Sequence, residues 1–273
     1  MSLLEKTKQL LWAHSIVPNK LLGQNFLVDE SVFPDLVDYA SLNRTDVVLD
    51  IGAGFGFLTR FIATKCARVL AVEKDPLIVS ILQQQLRGET NISIIEGDVL
   101  NTKLPLFDRV ISAPPYQISS PLLTWLFDRP FKCAILILQE EFANRITAQL
   151  GTEDYSWLTV YAYYHAKVDS LDALPRQKFH PEPEVDSIIV RLIPRSQPAF
   201  LMNDRRLFKQ MLKTVFTERN KKLINAALPF ATNILRLSAE DAKLRLSKLS
   251  FCEERVRTLA PEAFGEVARV LIN

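Results

Sequence analysis

The chain has 273 residues, 48% of them hydrophobic and 23% charged, enough for one large domain with a full core plus a small one. Cys66, Cys133 and Cys252, like His14, His165 and His180, are scattered without metal-ligand spacing, which reads most simply as a reduced, intracellular protein without zinc. The net charge of +2 hides an asymmetry: residues 201–273 hold 14 Lys and Arg against 8 Asp and Glu, a pattern that suits either a polyanionic partner or a solvated helix face.

In chain order, the opening "MSLLEKTKQLLWAHS" is interrupted by Glu5, Lys6 and Lys8, so it lacks the continuous apolar core of a signal peptide. No run approaches the roughly 18 apolar residues of a membrane span, and a cytoplasmic protein with no membrane partner is expected. From residue 46, short β-branched runs alternate with helical stretches. Val47–Ile51, Arg68–Glu73, Ile92–Ile95, Arg109–Ser112 and Ala134–Leu138 read as strands apolar enough to be buried on both faces. Phe57–Lys65, Pro76–Leu86 and Pro121–Phe127 read as helices between them, and Glu140–Leu150 follows the fifth strand. The alternation predicts an α/β fold built on a doubly wound parallel sheet. Leu158–Ala166 and Val185–Leu192 predict a closing antiparallel pair at its edge.

Ile193–Asp204 breaks the pattern with two prolines and a change of composition. It marks the expected boundary between a domain of residues 1–195 and a small all-helical domain of residues 200–273. Phe208, Met211, Leu212, Val215 and Phe216 fall at helical spacing among Lys209, Lys213, Arg219, Lys221 and Lys222, an amphipathic basic helix. Ser238–Leu249, opening with a cap-like Ser-x-x-Asp, and Pro261–Leu271 predict further helices.

Three strand ends carry residues suited to a nucleoside. "DIGAGFGFLT", Asp50–Thr59, joins the first strand to its helix, and Gly52, Gly54 and Gly56 let backbone approach a ligand there. A dinucleotide fold wants Gly-x-Gly-x-x-Gly, whereas the sixth position counted from Gly52 is Phe57; this weakens the nicotinamide oxidoreductase reading, which falls with the lack of any placed catalytic histidine. Glu73, at the end of the second strand, is placed to accept both ribose hydroxyls, and Asp98, after the third, an adenine amine. Together with the glycine turn they indicate S-adenosylmethionine. The fourth strand runs into "SAPPYQISSP", Ser112–Pro121, where prolines stiffen an open loop presenting an aromatic ring and bare carbonyls.

With these segments in view, the chain resembles the KsgA-type ribosomal RNA adenine dimethyltransferases, relatives of the erythromycin-resistance methylases. The resemblance rests on "GQNFL" (Gly23–Leu27), "DIGAGFGFLT", "AVEKD" (Ala71–Asp75), "EGDVL" (Glu96–Leu100), "PPYQISSPLL" (Pro114–Leu123), "LQEEFANRI" (Leu138–Ile146), "FHPEPEVDSIIVRL" (Phe179–Leu192) and "FTERNKKLINAAL" (Phe216–Leu228), in order across nearly all of the chain. It implies a class I, Rossmann-like methyltransferase sheet, mostly parallel with an antiparallel edge pair. It also implies that Asn25 and Leu27 close over the methionine end of the cofactor, with Gly52, Glu73, Asp98 and Ala113 holding the rest. Tyr116 and Phe179 would stack on the extruded target adenine, Phe179 having core packing as its competing reading. Arg219, Lys221 and Lys222 would meet RNA.

The implied reaction is methyl transfer to adenine amines near the 3′ end of small-subunit ribosomal RNA, dimethylating two adjacent adenosines during ribosome biogenesis, by a monomer. An exocyclic amine is a poor nucleophile, and an acceptor pair that grips its hydrogens aims the lone pair at the methyl group. In the family this pair is an Asn side chain and the following backbone carbonyl, the latter from Pro114 here. The Asn position is Ala113, and losing one such hydrogen bond costs about 3 kcal/mol, or about a hundredfold in rate. Ser112, Gln117 and Ser119 are the nearby side chains able to supply an oxygen instead. The alternative reading is a weak or inactive relative that binds RNA as a ribosome-assembly factor.

Overall fold

The computed structural model describes residues 1–19, 22–200, 202 and 204–272. It begins with helix α1 (Leu3–Ala13), opened by a capping box in which the Ser2 hydroxyl accepts from the Glu5 amide and the Glu5 carboxylate accepts from the Ser2 amide. An arm containing the short strand β1 (Phe26–Leu27) and helix α2 (Phe33–Tyr39) lead into the sheet. There follow β2 (Val47–Ile51), α3 (Phe57–Ala63), β3 (Arg68–Glu73), α4 (Pro76–Gln85), β4 (Ile92–Glu96), β5 (Arg109–Ser112), α5 (Ser119–Phe127) and β6 (Cys133–Gln139). Each matches an expected element to within a few residues. The start of α4 shows why: Asp75 caps it by accepting from the Leu77 amide, and Pro76 needs no partner for its nitrogen.

The rest comprises α6 (Glu140–Thr147), α7 (Trp157–His165), β7 (Ala166–Leu174), β8 (Phe179–His180) and β9 (Ser187–Pro194), then α8 (Arg205–Phe216), α9 (Leu223–Ala226), α10 (Ala239–Leu246) and α11 (Pro261–Leu271). Among the described residues a seven-stranded sheet runs in the order β4-β3-β2-β5-β6-β9-β7. Its first five strands are parallel and β9 is antiparallel to β6. Chain order reverses at β2, between β3 and β5, so a crevice opens at the carboxyl ends of these strands. One apolar cluster joins Val48, Val69, Ile111 and Ile135 of the sheet to Leu36 of α2 and to Leu58 and Ile62 of α3. Another joins Leu11 of α1 to Phe55 and to Ile78 and Ile81 of α4.

The structure corrects one expected strand. Leu158–Ala166 is almost entirely α7, and the edge strand is the following segment, β7, beside β9. Leu158, Val160, Tyr161, Ala162 and Tyr164 are all buried, and a helix covered on nearly every side shows no amphipathic period. The strand that does form, "AKVDSLDAL", interleaves four polar residues with five apolar ones and is partly exposed, as an edge strand with one wet face can be.

Two compact units emerge, Met1–Ala143 with Asp169–Pro194, and Asn144–Val168 with the chain from Arg195 onward. The second therefore takes in Asn144–Val168, which the expected boundary placed in the first domain. In this unit α7 packs on α8 and α11. Phe208, Met211, Leu212 and Val215 of α8 are buried, and the Tyr155 hydroxyl donates to the Leu259 carbonyl at 2.8 Å.

Candidate active site

The cleft lies in the first unit, at the carboxyl ends of β2, β3, β4 and β5. After β2 the chain turns through Gly52 at φ +74°, and a Cβ there would stand 2.9 Å from Cδ of Pro115, so glycine is required both for the turn and for contact with the loop after β5. The Gly52 and Ala53 amides both donate to the Val72 carbonyl, at 2.8 and 3.1 Å. This pins the glycine turn to the end of β3.

Glu73 is held by backbone alone: its Oε2 accepts from the Gly54 amide at 3.0 Å and its Oε1 from those of Lys74 and Asp75 at 2.8 and 3.0 Å. Burial pushes its pKa up and these amides work against that rise. A carboxylate offers about four lone-pair positions, so this one is oriented yet retains capacity for a hydroxyl ligand. Asp50, 2% exposed, accepts from the Thr59 hydroxyl at 2.7 Å. Burial pushes its pKa up to about 7.

Asp98 follows β4, where the Gly97 amide donates to the Glu73 carbonyl at 2.8 Å. Its Oδ1 accepts from the Leu100 amide at 3.0 Å and its Oδ2 meets Lys74 Nζ at 3.1 Å. An amine ligand therefore shares Oδ2 with an exposed lysine, a competition that the strand-end pattern did not reveal.

The loop after β5 is fastened at several points. The buried Ser112 Oγ donates to the Ile51 carbonyl at 2.6 Å and accepts from the Ile51 amide at 3.1 Å. The Ser119 hydroxyl donates to the Tyr116 carbonyl at 2.8 Å. Tyr116 bonds through its hydroxyl to Ser187 Oγ at 2.7 Å, and its ring meets Phe179 edge-on at a centroid distance of 6.4 Å. Phe179 is only 2% exposed and belongs to the main core, which corrects its expected role as a stacking surface: it has no open face for a base and instead backs Tyr116.

The arm Leu22–Leu27 forms the remaining wall. Gln24 Nε2 donates to Asp75 Oδ2 at 2.7 Å, Phe26 stacks on Phe55 at 4.5 Å, and β1 pairs antiparallel with β8. The cleft encloses about 1140 Å³ counted out to its mouth. Asn25, Leu27, Gly52, Glu73, Asp98 and Ala113 all line it. Pro114 is buried beside it, whereas Pro115 and Gln117 face into it. Of the three side chains near Ala113 able to supply an oxygen, only Gln117 belongs to the cleft lining, and its amide packs against Gly23 of the arm. Phe55, within the glycine turn, and Lys74, within "AVEKD", also line the cleft, although neither residue type by itself signals a cofactor.

In the second unit, an Arg219 guanidinium nitrogen donates to the Glu153 and Tyr155 carbonyls. Lys221 pairs with Glu218 at 3.1 Å and Lys222 with Glu253 at 2.6 Å. Among the described residues no group of three His, Cys, Asp or Glu converges as metal ligands would, and no helix is long and apolar enough to cross a membrane.

The sequence model of the family described as "Ribosomal RNA adenine dimethylase" matches residues 17–243. The chain belongs to that family. Among curated members, the probable ribosomal RNA small subunit methyltransferase A of Methanosarcina acetivorans is 40% identical over 252 residues, 92% of each chain. That of Methanosphaera stadtmanae is 37% identical over 272 residues, 98% of each chain. Among solved structures, a dimethyladenosine transferase from Plasmodium falciparum superposes with a TM-score of 0.78 at 30% identity, covering 89% of this chain and 96% of the other. The 23S rRNA methyltransferase ErmE superposes with a TM-score of 0.67 at 26% identity, covering 91% and 100%. This ribosomal RNA adenine dimethylase family member is therefore a class I methyltransferase that uses S-adenosylmethionine. The donor set fits that cofactor: two carboxylates for hydroxyls and an amine, backbone brought close by Gly52, and apolar walls for a purine.

Proposed function

We propose that the protein methylates the exocyclic amines of adenosines near the 3′ end of small-subunit ribosomal RNA, placing two methyl groups on each of two adjacent adenosines during ribosome biogenesis. It acts as a monomer in the cytoplasm, with the basic second unit engaging the RNA. The observation that carries this reading is the gathering of Gly52, Glu73, Asp98 and Ala113 at one crevice, with the proline-stiffened loop at its rim.

Glu73 orients the ribose through whatever acceptor capacity its three amide bonds leave, Asp98 accepts from the adenine amine, and Asn25 and Leu27 close over the methionine end. When bound, the cofactor supplies a methyl group already activated by its sulfonium. Tyr116 offers a face to the unstacked base, as RNA enzymes need when they act on a splayed-out nucleotide. The Pro114 carbonyl accepts one amine hydrogen. The second acceptor is open to assignment because Ala113 has no polar side chain. The Ser112 and Ser119 hydroxyls donate to backbone carbonyls, and of the three residues Gln117 lines the cleft.

A second reading, an RNA-binding assembly factor without turnover, is favoured only by Ala113. The experiment incubates purified protein and its Ala113→Asn variant with unmethylated small subunits and labelled cofactor. Transfer by wild type supports the enzyme, with the variant faster by about tenfold to a hundredfold. If only the variant transfers, wild type is the binding factor. If neither transfers while both bind the subunit, the enzyme reading fails.

A further inference from the structure

The wall of the cleft formed by the loop after β5 is sparing with hydrogen-bond partners. Pro114 and Pro115 carry no N–H, and the side chains of Ala113, Pro115 and Ile118 that line the cleft here are apolar. The Pro115 carbonyl already accepts from the Ile118 amide at 3.1 Å. The hydroxyls of the same loop turn elsewhere: Ser112 Oγ bonds to the Ile51 carbonyl and amide, Ser119 donates to the Tyr116 carbonyl, and the Tyr116 hydroxyl bonds to Ser187. Gln117 packs its amide against Gly23 of the arm. At Ala113 the cleft therefore meets a methyl group. That methyl is fixed in place, because Ala113 packs on the main core and Pro115 is wedged on the glycine turn, its Cδ 2.9 Å from where a Cβ on Gly52 would stand.

Two successive transfers to one nitrogen make different demands on such a wall. In each, the nitrogen lone pair forms the bond to the sulfonium methyl, the electron pair of the broken S–C bond stays on sulfur, and the nitrogen then releases one proton to water. An unmethylated amine enters with two hydrogens. Where the wall supplies one carbonyl, the other hydrogen has no acceptor and the lone pair is aimed less firmly. A monomethylated amine enters with one hydrogen and one methyl group. The carbonyl takes the hydrogen, and the methyl needs an apolar seat, because a polar group pressed against it would go without a hydrogen-bond partner of its own.

We propose that Ala113 determines product specificity by seating the first methyl group against its own, so that the second transfer outruns the first and monomethylated adenosine does not accumulate. The proposal rests on the reading that the protein dimethylates adenosines whose base stacks on Tyr116 and whose amine meets the Pro114 carbonyl, and it adds which of the two steps this chain favours. A polar acceptor at position 113 has the opposite effect: it grips the unmethylated amine and crowds the methylated one.

The test incubates wild type, A113N and A113G with unmethylated small ribosomal subunits and cofactor, digests the RNA to nucleosides and follows unmethylated, monomethylated and dimethylated adenosine by mass spectrometry. In wild type the monomethylated form should stay below about a tenth of the total, the mark of a second step about tenfold faster than the first. A113N should speed the first step and slow the second, so that the monomethylated form passes about a third. A113G, which removes the seat and adds no acceptor, should raise the monomethylated fraction without a faster first step. Both steps use the same cofactor and the same fold, so a general loss of either leaves the ratio of the two rates where it was. A second measurement needs no turnover. With S-adenosylhomocysteine bound, wild type should bind N6-methyladenosine about threefold to tenfold more tightly than adenosine, as burial of one methyl group implies, and A113N should bind adenosine the more tightly.

A wild-type monomethylated fraction that climbs to about a third or more, where the two rates are equal, overturns the proposal. So do equal fractions in wild type and both variants, or tighter binding of adenosine than of N6-methyladenosine by wild type. In these cases wild type still transfers methyl and the functional reading stands. If wild type transfers no methyl to adenosine, that reading has failed, and the proposal with it.

Discussion

The Oε1 atom of Gln117 lies 1.7 Å from the point where a Cβ on Gly23 would stand, so the loop after β5 reaches the N-terminal arm only because residue 23 carries no side chain. Gly23 also sits at φ +65°, a conformation that costs an ordinary residue about 1–2 kcal/mol. Gly23→Ala should therefore displace Gln117, loosen the arm and weaken cofactor binding about tenfold by calorimetry. Adding Gln117→Ala should recover the part of that loss due to collision and leave the part due to backbone strain. Gln117→Leu alone should lower methyl transfer at saturating cofactor more than it lowers cofactor affinity. Equal loss in both would give Gln117 a role in shaping the cleft only.

Glu73 receives three backbone N–H groups, so its replacement by the isosteric amide is not conservative. Glu73→Gln turns a donor toward donors and leaves buried amides without an acceptor, at about 1–3 kcal/mol. A lowered unfolding temperature and at least about tenfold weaker cofactor binding are expected. Glu73→Ala should abolish binding, and unchanged affinity there would remove Glu73 from the cofactor site.

Tyr116 and Phe179 separate by substitution. Tyr116→Ala removes the ring proposed to stack on the target base, worth about 1–3 kcal/mol, so kcat/KM toward small subunits should fall by about tenfold to a hundredfold. Tyr116→Phe keeps the ring and loses only the bond to Ser187, costing about 1 kcal/mol of stability with activity within a few-fold. Phe179→Ala opens a cavity behind it and should cost about 3–5 kcal/mol in unfolding, readable by denaturant titration.

Asp50 makes stability depend on pH. Folding raises its pKa from 3.8 to about 7, chiefly through burial. Between those values the folded chain keeps a proton that the unfolded chain releases, so rising pH favours unfolding. The contribution is intact below about pH 4, is lost progressively up to about pH 7 and is constant beyond. Asp50→Asn retains an acceptor for the Thr59 hydroxyl and should unfold with a shallower fall in Tm between those limits than wild type. Parallel Tm profiles would show that Asp50 does not titrate there.

The parallel strands were legible because each is a short apolar run that ends in its own marker: Gly52 after β2, Glu73 closing β3, Asp98 after β4, Ala113 after β5. Once strand order is known, these markers meet at one edge. The helix α7 was not legible because Leu158, Val160 and Tyr164 are covered on several sides, which erases the period that distinguishes helix from strand. The Ser156–Thr159 capping box was the local signal that marked its start.

The sequence by itself determined the α/β class and the strand-end markers Gly52, Glu73 and Asp98, since strand runs and turn chemistry are local properties. Only the tertiary structure decided which side chains have an open face. Phe179 reads as well for stacking as for packing until β8 carries it into the core, and Lys222 reads as a free cation until Glu253 comes beside it. Pro114 is covered while Gln117 reaches the cleft, although both lie in one short loop. Burial and charge pairing depend on residues far away in the chain, and they set which groups are left to meet a ligand.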